Sequence, residues 1–177
     1  MKKLARLTAL LLTGALLLVL TACGAETEQQ AKQRLLDEIN SYRASLELDP
    51  LKEVEQLSAA EQELIDHFRA AGKTVLPESE GDEVLDSWRS KTKDWSYCSG
   101  FGWDWDYDEN VYILSAKVPA NTPEGKTELL AALKDCPAFN ISNCKHIGIA
   151  VVTIDGQMYW SLSLIHISEP TRLALIS

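Results

Sequence analysis

The stretch HIGIAVVTIDGQMYWS, residues 146–161, decides the fold class of this 177-residue chain. Residues 146–153 are rich in β-branched side chains, which favour a strand. Asp155 and Gly156 together are a strong signal for a tight hairpin turn, because both residues tolerate a left-handed backbone. We therefore expect a β-hairpin whose return strand starts within Gln157–Ser161.

Helical patterns lie at the start of the region before this hairpin. Apolar side chains recur at three- and four-residue steps through Glu28–Leu46, which predicts an amphipathic helix. A second helix should follow, with Asp49 as its cap and Pro50 in its first turn. Gly72 is the expected end of that second helix.

Aromatic and acidic residues alternate strictly through FGWDWDYD, residues 101–108. This period of two predicts a strand with one apolar and one charged face, continued as extended chain over Glu109–Ala116. The spacing of the three aspartates also fits a calcium loop, but Glu109 stands where such a loop needs glycine. A carboxylate pair for acid–base catalysis is a third interpretation, although nothing supplies the contrasting environments that it needs.

Two further helices complete the pattern. Pro77–Asp82 is expected to be an acidic loop, and a short helix should cover Glu83–Arg89. Thr122 can cap another helix, with Pro123 at its first position. Helices, a strand, a helix and a hairpin in this order, without an internal repeat, predict a single α+β domain.

The first residues have the composition of a bacterial secretory leader. Three cations precede the apolar run Leu7–Leu20, which is shorter than the ~20 residues that span a bilayer. The stretch Leu20-Thr21-Ala22-Cys23 resembles a bacterial lipobox. The resemblance implies that residues 1–22 are a signal peptide and that Cys23 carries acyl chains such as palmitate, on a polar tether of residues 23–30. An ordinary signal peptide with a chance cysteine is the alternative.

The last sixteen residues, LSLIHISEPTRLALIS at 162–177, match the in-frame translation of a transposase-type sequencing adapter. We interpret them as an artefact tail, so we do not treat His166 as a candidate catalytic residue. The native domain is then residues 31–161, and its last strand is truncated.

The net charge excludes one class of partner. The whole chain carries −9, from 17 Lys and Arg against 26 Asp and Glu residues. Four of the cations (Lys2, Lys3, Arg6 and Arg172) and one anion (Glu169) lie outside residues 23–161, so that stretch carries −12. Nucleic-acid binding needs a basic face, and we therefore expect no nucleic-acid partner.

Several motifs within residues 35–161 resemble the CAP superfamily, which includes cysteine-rich secretory proteins, antigen 5 and plant pathogenesis-related proteins. The motifs are Leu36-x-x-x-Asn40-x-x-Arg43, Leu48-x-Pro50-Leu51, Leu57-x-x-Ala60, Glu109-Asn110-Val111, Pro123-Glu124 through Cys136-Pro137, His146 through Ala150, and Gly156-x-x-Tyr159-Trp160. The resemblance implies an α-β-α sandwich with a surface cavity.

The departures from the family concern its metal site. Members that bind a metal use two histidines and one or two glutamates, and the matching positions here are Ser87, Phe139 and Glu109. Neither serine nor phenylalanine is a good zinc ligand. We therefore expect a degenerate cavity around Ser87, Glu109, Asn110 and Phe139, with no metal of the usual kind and no cofactor.

Three cysteines remain once Cys23 is assigned to lipid. Disulfides are expected outside the cytoplasm, and an odd number leaves one thiol unpaired. We prefer Cys136–Cys144, which would close one short loop. Pairing of Cys98 with either of them is the alternative, and a catalytic Cys98–His146 dyad lacks a spacing motif.

We expect a lipid-anchored binding or interaction module at the bacterial cell envelope, facing outside the cytoplasm. The middle of the chain is rich in tryptophan, with Trp88, Trp95, Trp103 and Trp105. Half or more of these four should lie in the core, but exposed ones could stack on the sugar rings of a cell-wall glycan. A small lipid or a protein are the other ligands considered. The alternatives are an envelope hydrolase or peptidase that uses Glu109 and nearby carboxylates, and a structural spacer lipoprotein.

Overall fold

A computed structural model describes residues 25–166 of the chain. The predicted signal peptide, the predicted lipid-attachment residue Cys23 and residues 167–177 lie outside this range. Within the described range, no helix combines the length and the hydropathy that crossing a bilayer requires.

The described chain forms four α-helices, one 3₁₀ turn and seven strands. The helices are α1 (Glu28–Ser45), α2 (Glu55–Ala71), α3 (Glu78–Thr92) and α4 (Pro123–Asp135), and the 3₁₀ turn is Pro137–Asn140. The strands are β1 (Lys52–Glu53), β2 (Val75–Pro77), β3 (Ser96–Phe101), β4 (Trp103–Asp106), β5 (Val111–Leu114), β6 (His146–Ile154) and β7 (Gln157–His166).

The strands form two sheets. The larger sheet has the order β1-β6-β7-β3, and the smaller has the order β2-β5-β4. The hairpin predicted at 146–161 is confirmed, because β6 and β7 pair antiparallel from Ile154 and Gln157 at the turn to His146 and Ile165. Mixed helix and sheet confirm the α+β class.

Strand β6 is buried on both faces. Ile147, Ile149 and Val151 belong to a first core with α1, α4 and the 3₁₀ turn. Ala150 and Val152 belong to a second core with α2, α3 and the smaller sheet. Successive side chains of a strand point to opposite faces, so β6 lies between two helical layers.

The predicted start of the second helix is wrong. Asp49 and Pro50 do not open it, and α2 begins at Glu55 after the two-residue strand β1. The reason is tertiary, because Lys52 and Val54 donate backbone hydrogen bonds to the carbonyls of Lys145 and Ile147. The predicted end is confirmed, since Gly72 adopts a left-handed backbone with φ of 65°.

The acidic loop predicted at Pro77–Asp82 is also wrong, because α3 already begins at Glu78. The strand predicted over residues 101–108 is interrupted at Gly102, which has φ of 114°. A side chain could not fit there, because an added Cβ would lie 2.2 Å from the carbonyl oxygen of Trp160. Gly102 thus separates β3 in the larger sheet from β4 in the smaller one.

Strand β7 continues through residues 162–166, the first part of the stretch that matches an adapter. Leu162 and Leu164 are buried in the first core. Every β7 residue that pairs with β3 lies between Leu162 and His166. At the other end of the chain, α1 begins at Glu28, inside the segment predicted to be a tether.

Candidate functional site

The structure places the predicted cavity residues in separate environments. Ser87 lies on α3 and donates a hydrogen bond to the carboxylate of Glu63. Glu109 and Asn110 are exposed in the turn between β4 and β5. Phe139 is fully buried in the first core. Within residues 25–166, no hydrogen bond, ion pair or ring contact links Ser87, Glu109 and Phe139 to one another.

A buried arginine organises the chain around Phe139. The guanidinium of Arg43 donates to the backbone carbonyls of Phe139 at 2.8 Å and Cys144 at 3.2 Å. It also donates to the carbonyls of Asp49 at 2.9 Å and Ile141 at 3.2 Å. Burial lowers the pKa of Arg43 from its ordinary value, against a smaller opposing effect of Asp49. Four carbonyls replace the water that this cation loses, so Arg43 fixes the segment before β6.

The disulfide joins Cys98 to Cys144, across 46 residues of sequence. Our preferred pair, Cys136–Cys144, is therefore wrong, and the alternative with Cys98 is correct. Cys144 is fully buried two residues before β6 begins, and Cys98 at the bulge of β3 forms the disulfide with it. Cys136 follows α4 and keeps a free, half-buried thiol.

A buried carboxylate that sequence reasoning missed lies between α2 and the larger sheet. Glu61 has no exposed surface. Its oxygens accept hydrogen bonds from the indole of Trp88 at 2.8 Å, the hydroxyl of Ser161 at 2.7 Å and that of Ser163 at 2.6 Å. Ser163 lies in the stretch that matches an adapter, but Trp88 and Ser161 do not.

Burial dominates the electrostatics of Glu61. It raises the pKa of the Glu61 carboxyl, while the hydrogen bonds from Ser163, Ser161 and Trp88 lower it by less. No cation pairs with Glu61 among residues 25–166. A perturbed buried carboxylate is a feature of many functional sites, but burial also keeps this one from a substrate. The sequence did carry a signal, because Glu61 lies on the apolar stripe of Leu57, Leu64 and Phe68.

An exposed tyrosine and a partly buried tryptophan are in contact at the end of the β4–β5 hairpin, and we call this pair the aromatic tip. The rings of Trp105 and Tyr107 have centroids 6.2 Å apart and meet edge to face at 88°. Tyr107 is 84% exposed, whereas Trp105 also packs at 4.6 Å against Tyr112 of β5. Tyr112 in turn donates a 2.6 Å hydrogen bond to Asp82 of α3. The aromatic tip is thus supported from below by the second core.

Three of the other tryptophans lie in or against a core. Trp160 is buried in the first core, and Trp103 packs against the second. Trp88 contacts the second core and donates its indole hydrogen to Glu61. Of the four tryptophans at 88, 95, 103 and 105, three contact the second core and all four are only partly buried. The prediction that half or more of these four are core residues is therefore not confirmed.

The aspartates between the aromatic residues bind their own backbone. One oxygen of Asp106 accepts from the amides of Asp108 at 2.9 Å and Glu109 at 3.1 Å. Asp104 accepts from the amide of Trp105 at 2.8 Å. Over the described part of the chain, no three acidic, histidine or cysteine side chains are grouped closely enough to hold a metal ion.

No protein-family model matches the sequence, and no curated protein matches it either. The function therefore has to be inferred from the side chains and their geometry.

Proposed function

We propose that this chain is a lipid-anchored binding module of the bacterial cell envelope, which holds a cell-wall glycan at the aromatic tip. The observation that carries the proposal is the ring of Tyr107, 84% exposed and braced edge to face by Trp105. Exposed tyrosine and tryptophan side chains are enriched at binding surfaces, because one end of the ring is apolar and the other is polar. Flat apolar rings of this kind suit the flat apolar faces of sugar rings, and tyrosine loses little entropy on binding.

The proposed location outside the cytoplasm rests on the lipobox-like stretch before Cys23. The disulfide Cys98–Cys144 supports it, since such bonds persist mainly in oxidising compartments. The charge of −12 over residues 23–161 keeps the domain from adsorbing on anionic surfaces by itself. Attachment would therefore depend on the lipid.

We also propose that the domain is CAP-like with a degenerate cavity. Helical layers on both sides of β6 support an α-β-α arrangement. Phe139 fills the core at one of the family's histidine positions, and Ser87 is bound to Glu63 at the other. Neither Phe139 nor Ser87 therefore offers a metal-ligating side chain to a common metal site.

Binding is favoured over hydrolysis by the surroundings of the carboxylates. Glu109 is exposed in the turn between β4 and β5, whereas a general acid or base has to lie within hydrogen-bond reach of a positioned substrate. Glu61 is the carboxylate with a raised pKa, but it is enclosed by its three donors.

Retention of the mature chain on purified peptidoglycan tests the proposal. We expect Tyr107→Ala and Trp105→Ala each to weaken retention about tenfold, as loss of an aromatic anchor does. Leu130→Ala is the matched control, because Leu130 is an exposed apolar residue of α4, away from the aromatic tip. Equal retention of all variants would show that the aromatic tip does not bind peptidoglycan. Release of soluble sugars or peptides that Glu109→Gln abolishes would favour the hydrolase instead.

A further inference from the structure

The folded domain begins within a few residues of the predicted lipid-attachment residue. Thr27 caps α1 through a reciprocal pair of hydrogen bonds with Gln30. One residue earlier, the carboxylate of Glu26 binds the guanidinium of Arg34 through two hydrogen bonds of 2.7 and 2.8 Å. Little slack therefore remains between Cys23 and the folded domain.

The reach of the intervening chain sets the distance to the membrane. Only three peptide steps separate Cys23 from Glu26, and a fully extended chain spans about 10 Å over that length. Acyl chains on Cys23 would place this residue at the headgroups. Helix α1 is about 27 Å long from its eighteen residues, so its C-terminal end lies beyond the reach of this segment from Cys23.

Several elements meet at the start of α1 and define one side of the molecule, which we call the anchor face. Glu28 accepts a 2.7 Å hydrogen bond from the amide of Thr153 near the end of β6. Glu28 also pairs at 2.7 Å with Arg69 in the last turn of α2. Arg34 donates to the carbonyl of Pro119 at 3.0 Å. The anchor face therefore comprises Glu26, Arg34, Arg69, Pro119 and Thr153.

The opposite end of the molecule is equally well defined. The last turn of α1 lies beside Asp49, whose carbonyl binds Arg43. Asp49 also pairs with Lys145, which precedes β6. Since α1 and β6 both run between the two ends, this far end stands a helix length away from the anchor face.

We propose that the anchor face lies against the lipid headgroups and that the far end points away from the membrane. This orientation rests on the proposed lipid attachment at Cys23. The partner is a bilayer surface, which the acyl chains on Cys23 would hold within about 10 Å of the anchor face. The guanidinium groups of Arg34 and Arg69 are already paired with Glu26 and Glu28, so the lipid and not the charge of this face sets the orientation. A short anchor thus gives the domain one orientation, where a long tether would let it tumble.

Quenching by headgroup-labelled lipids tests the orientation in the full, lipidated chain on phosphatidylcholine vesicles. A fluorophore is attached to Ala70→Cys or to Ala44→Cys, each in a Cys136→Ser background that keeps the disulfide. The two positions are matched, because both are exposed alanines in the last turn of a helix. Ala70 follows Arg69 at the anchor face, and Ala44 lies at the far end. We expect quenching several-fold stronger at Ala70 than at Ala44.

A tether variant provides the control. Insertion of about 20 Gly and Ser residues after Gly24 gives a flexible link of roughly 25 Å, and it should abolish the difference between the two labels. Equal quenching without the insertion, or stronger quenching at Ala44, would overturn the orientation while leaving the anchor intact. Failure of the chain to join vesicles, or Cys23→Ser binding as well as the parent, would overturn the lipid anchor itself.

Discussion

At the scale of single residues, Glu61 shows how one polar side chain on an apolar helix face is accommodated. Its three donors come from α3 and β7, so the carboxylate is satisfied only when those elements are in place. None of the donors is charged, and the cost of removing a carboxylate from water is therefore only partly offset. This explains why burial raises the pKa of Glu61 despite the three hydrogen bonds that lower it.

Replacing Glu61 should change how stability depends on pH. The folded-state pKa is raised above the ordinary value of 4.5, so the folded protein binds the proton more tightly than the unfolded chain. The contribution of Glu61 is therefore most favourable below that ordinary value, and it is lost as the pH rises through the folded pKa. We expect Glu61→Gln to remove this slope and to be more stable at neutral pH by on the order of 1 kcal/mol.

Urea unfolding at a series of pH values measures the effect of Glu61→Gln. The control is Glu63→Gln, because Glu63 is exposed on the same helix and a hydrogen bond from Lys91 lowers its pKa instead. The control should not remove the slope. A wild-type slope that survives unchanged in Glu61→Gln would contradict the assignment.

The disulfide gives a second prediction at this scale. Cys144→Ser should lower the free energy of unfolding by about 2–4 kcal/mol, since the bond restricts a long loop of the unfolded chain. Cys136→Ser should leave stability nearly unchanged, because its thiol is free. Chemical denaturation with and without a reducing agent measures both. Equal losses in the two variants would mean that the thiols pair differently.

At the scale of elements, the sequence predicted the helices and strands whose ends are marked by local caps and turn residues. The ends of other elements depend on contacts with distant parts of the chain and were not predicted. The helix at Thr122 and the hairpin at Asp155 were predictable from caps and turn residues alone. The start of α2 was not, because β1 forms only by pairing with β6. In the candidate site, the alternation placed Tyr107 on the apolar face with Trp103 and Trp105. Its exposure was not predictable in this way, because β4 ends at Asp106 and Tyr107 lies in the turn that follows. The donors of Glu61 were not predictable either, since they lie 27 to 102 residues away.

The packing of α3 on the smaller sheet depends on one glycine. A Cβ added at Gly81 would lie 1.9 Å from the ring of Tyr112, which is itself held between Trp103 and Trp105. We expect Gly81→Ala to destabilise the domain by about 1–3 kcal/mol through overpacking, despite the better helix propensity of alanine.

The comparison for Gly81→Ala is Gly72→Ala, at a position with open space but a positive φ. That change should cost about 1 kcal/mol from the backbone alone. Only Gly81→Ala should also alter the near-ultraviolet circular dichroism of Tyr112 and its neighbours. An unchanged spectrum would show that α3 does not pack closely on this ring.

At the scale of the whole molecule, the interpretation of residues 162–177 has a structural consequence. Among residues 25–166, strand β3 pairs only with the part of β7 that lies in this stretch. A chain that ended at Ser161 would therefore leave β3 without a partner and one side of the first core open. With residues 162–177 interpreted as an artefact, we expect the native sequence to form an equivalent strand beside β3.

The expected native residues follow from the faces of β7. Positions 162 and 164 face the first core and should be apolar, whereas position 163 faces Glu61 and should carry a small hydrogen-bond donor. Sequencing the 3′ end of the source reading frame tests this directly. A charged residue at position 162 or 164 would contradict the expected continuation of β7.

The pair of contacts made by Glu28 also has a mechanical meaning. Any pull exerted through the proposed membrane anchor would enter the domain at the first turn of α1. The contacts of Glu28 would transmit this force directly to the end of β6 and to the last turn of α2. The force would thus be distributed as shear over α1, α2 and β6. Helix α1 would then not separate from the domain starting at its N-terminus.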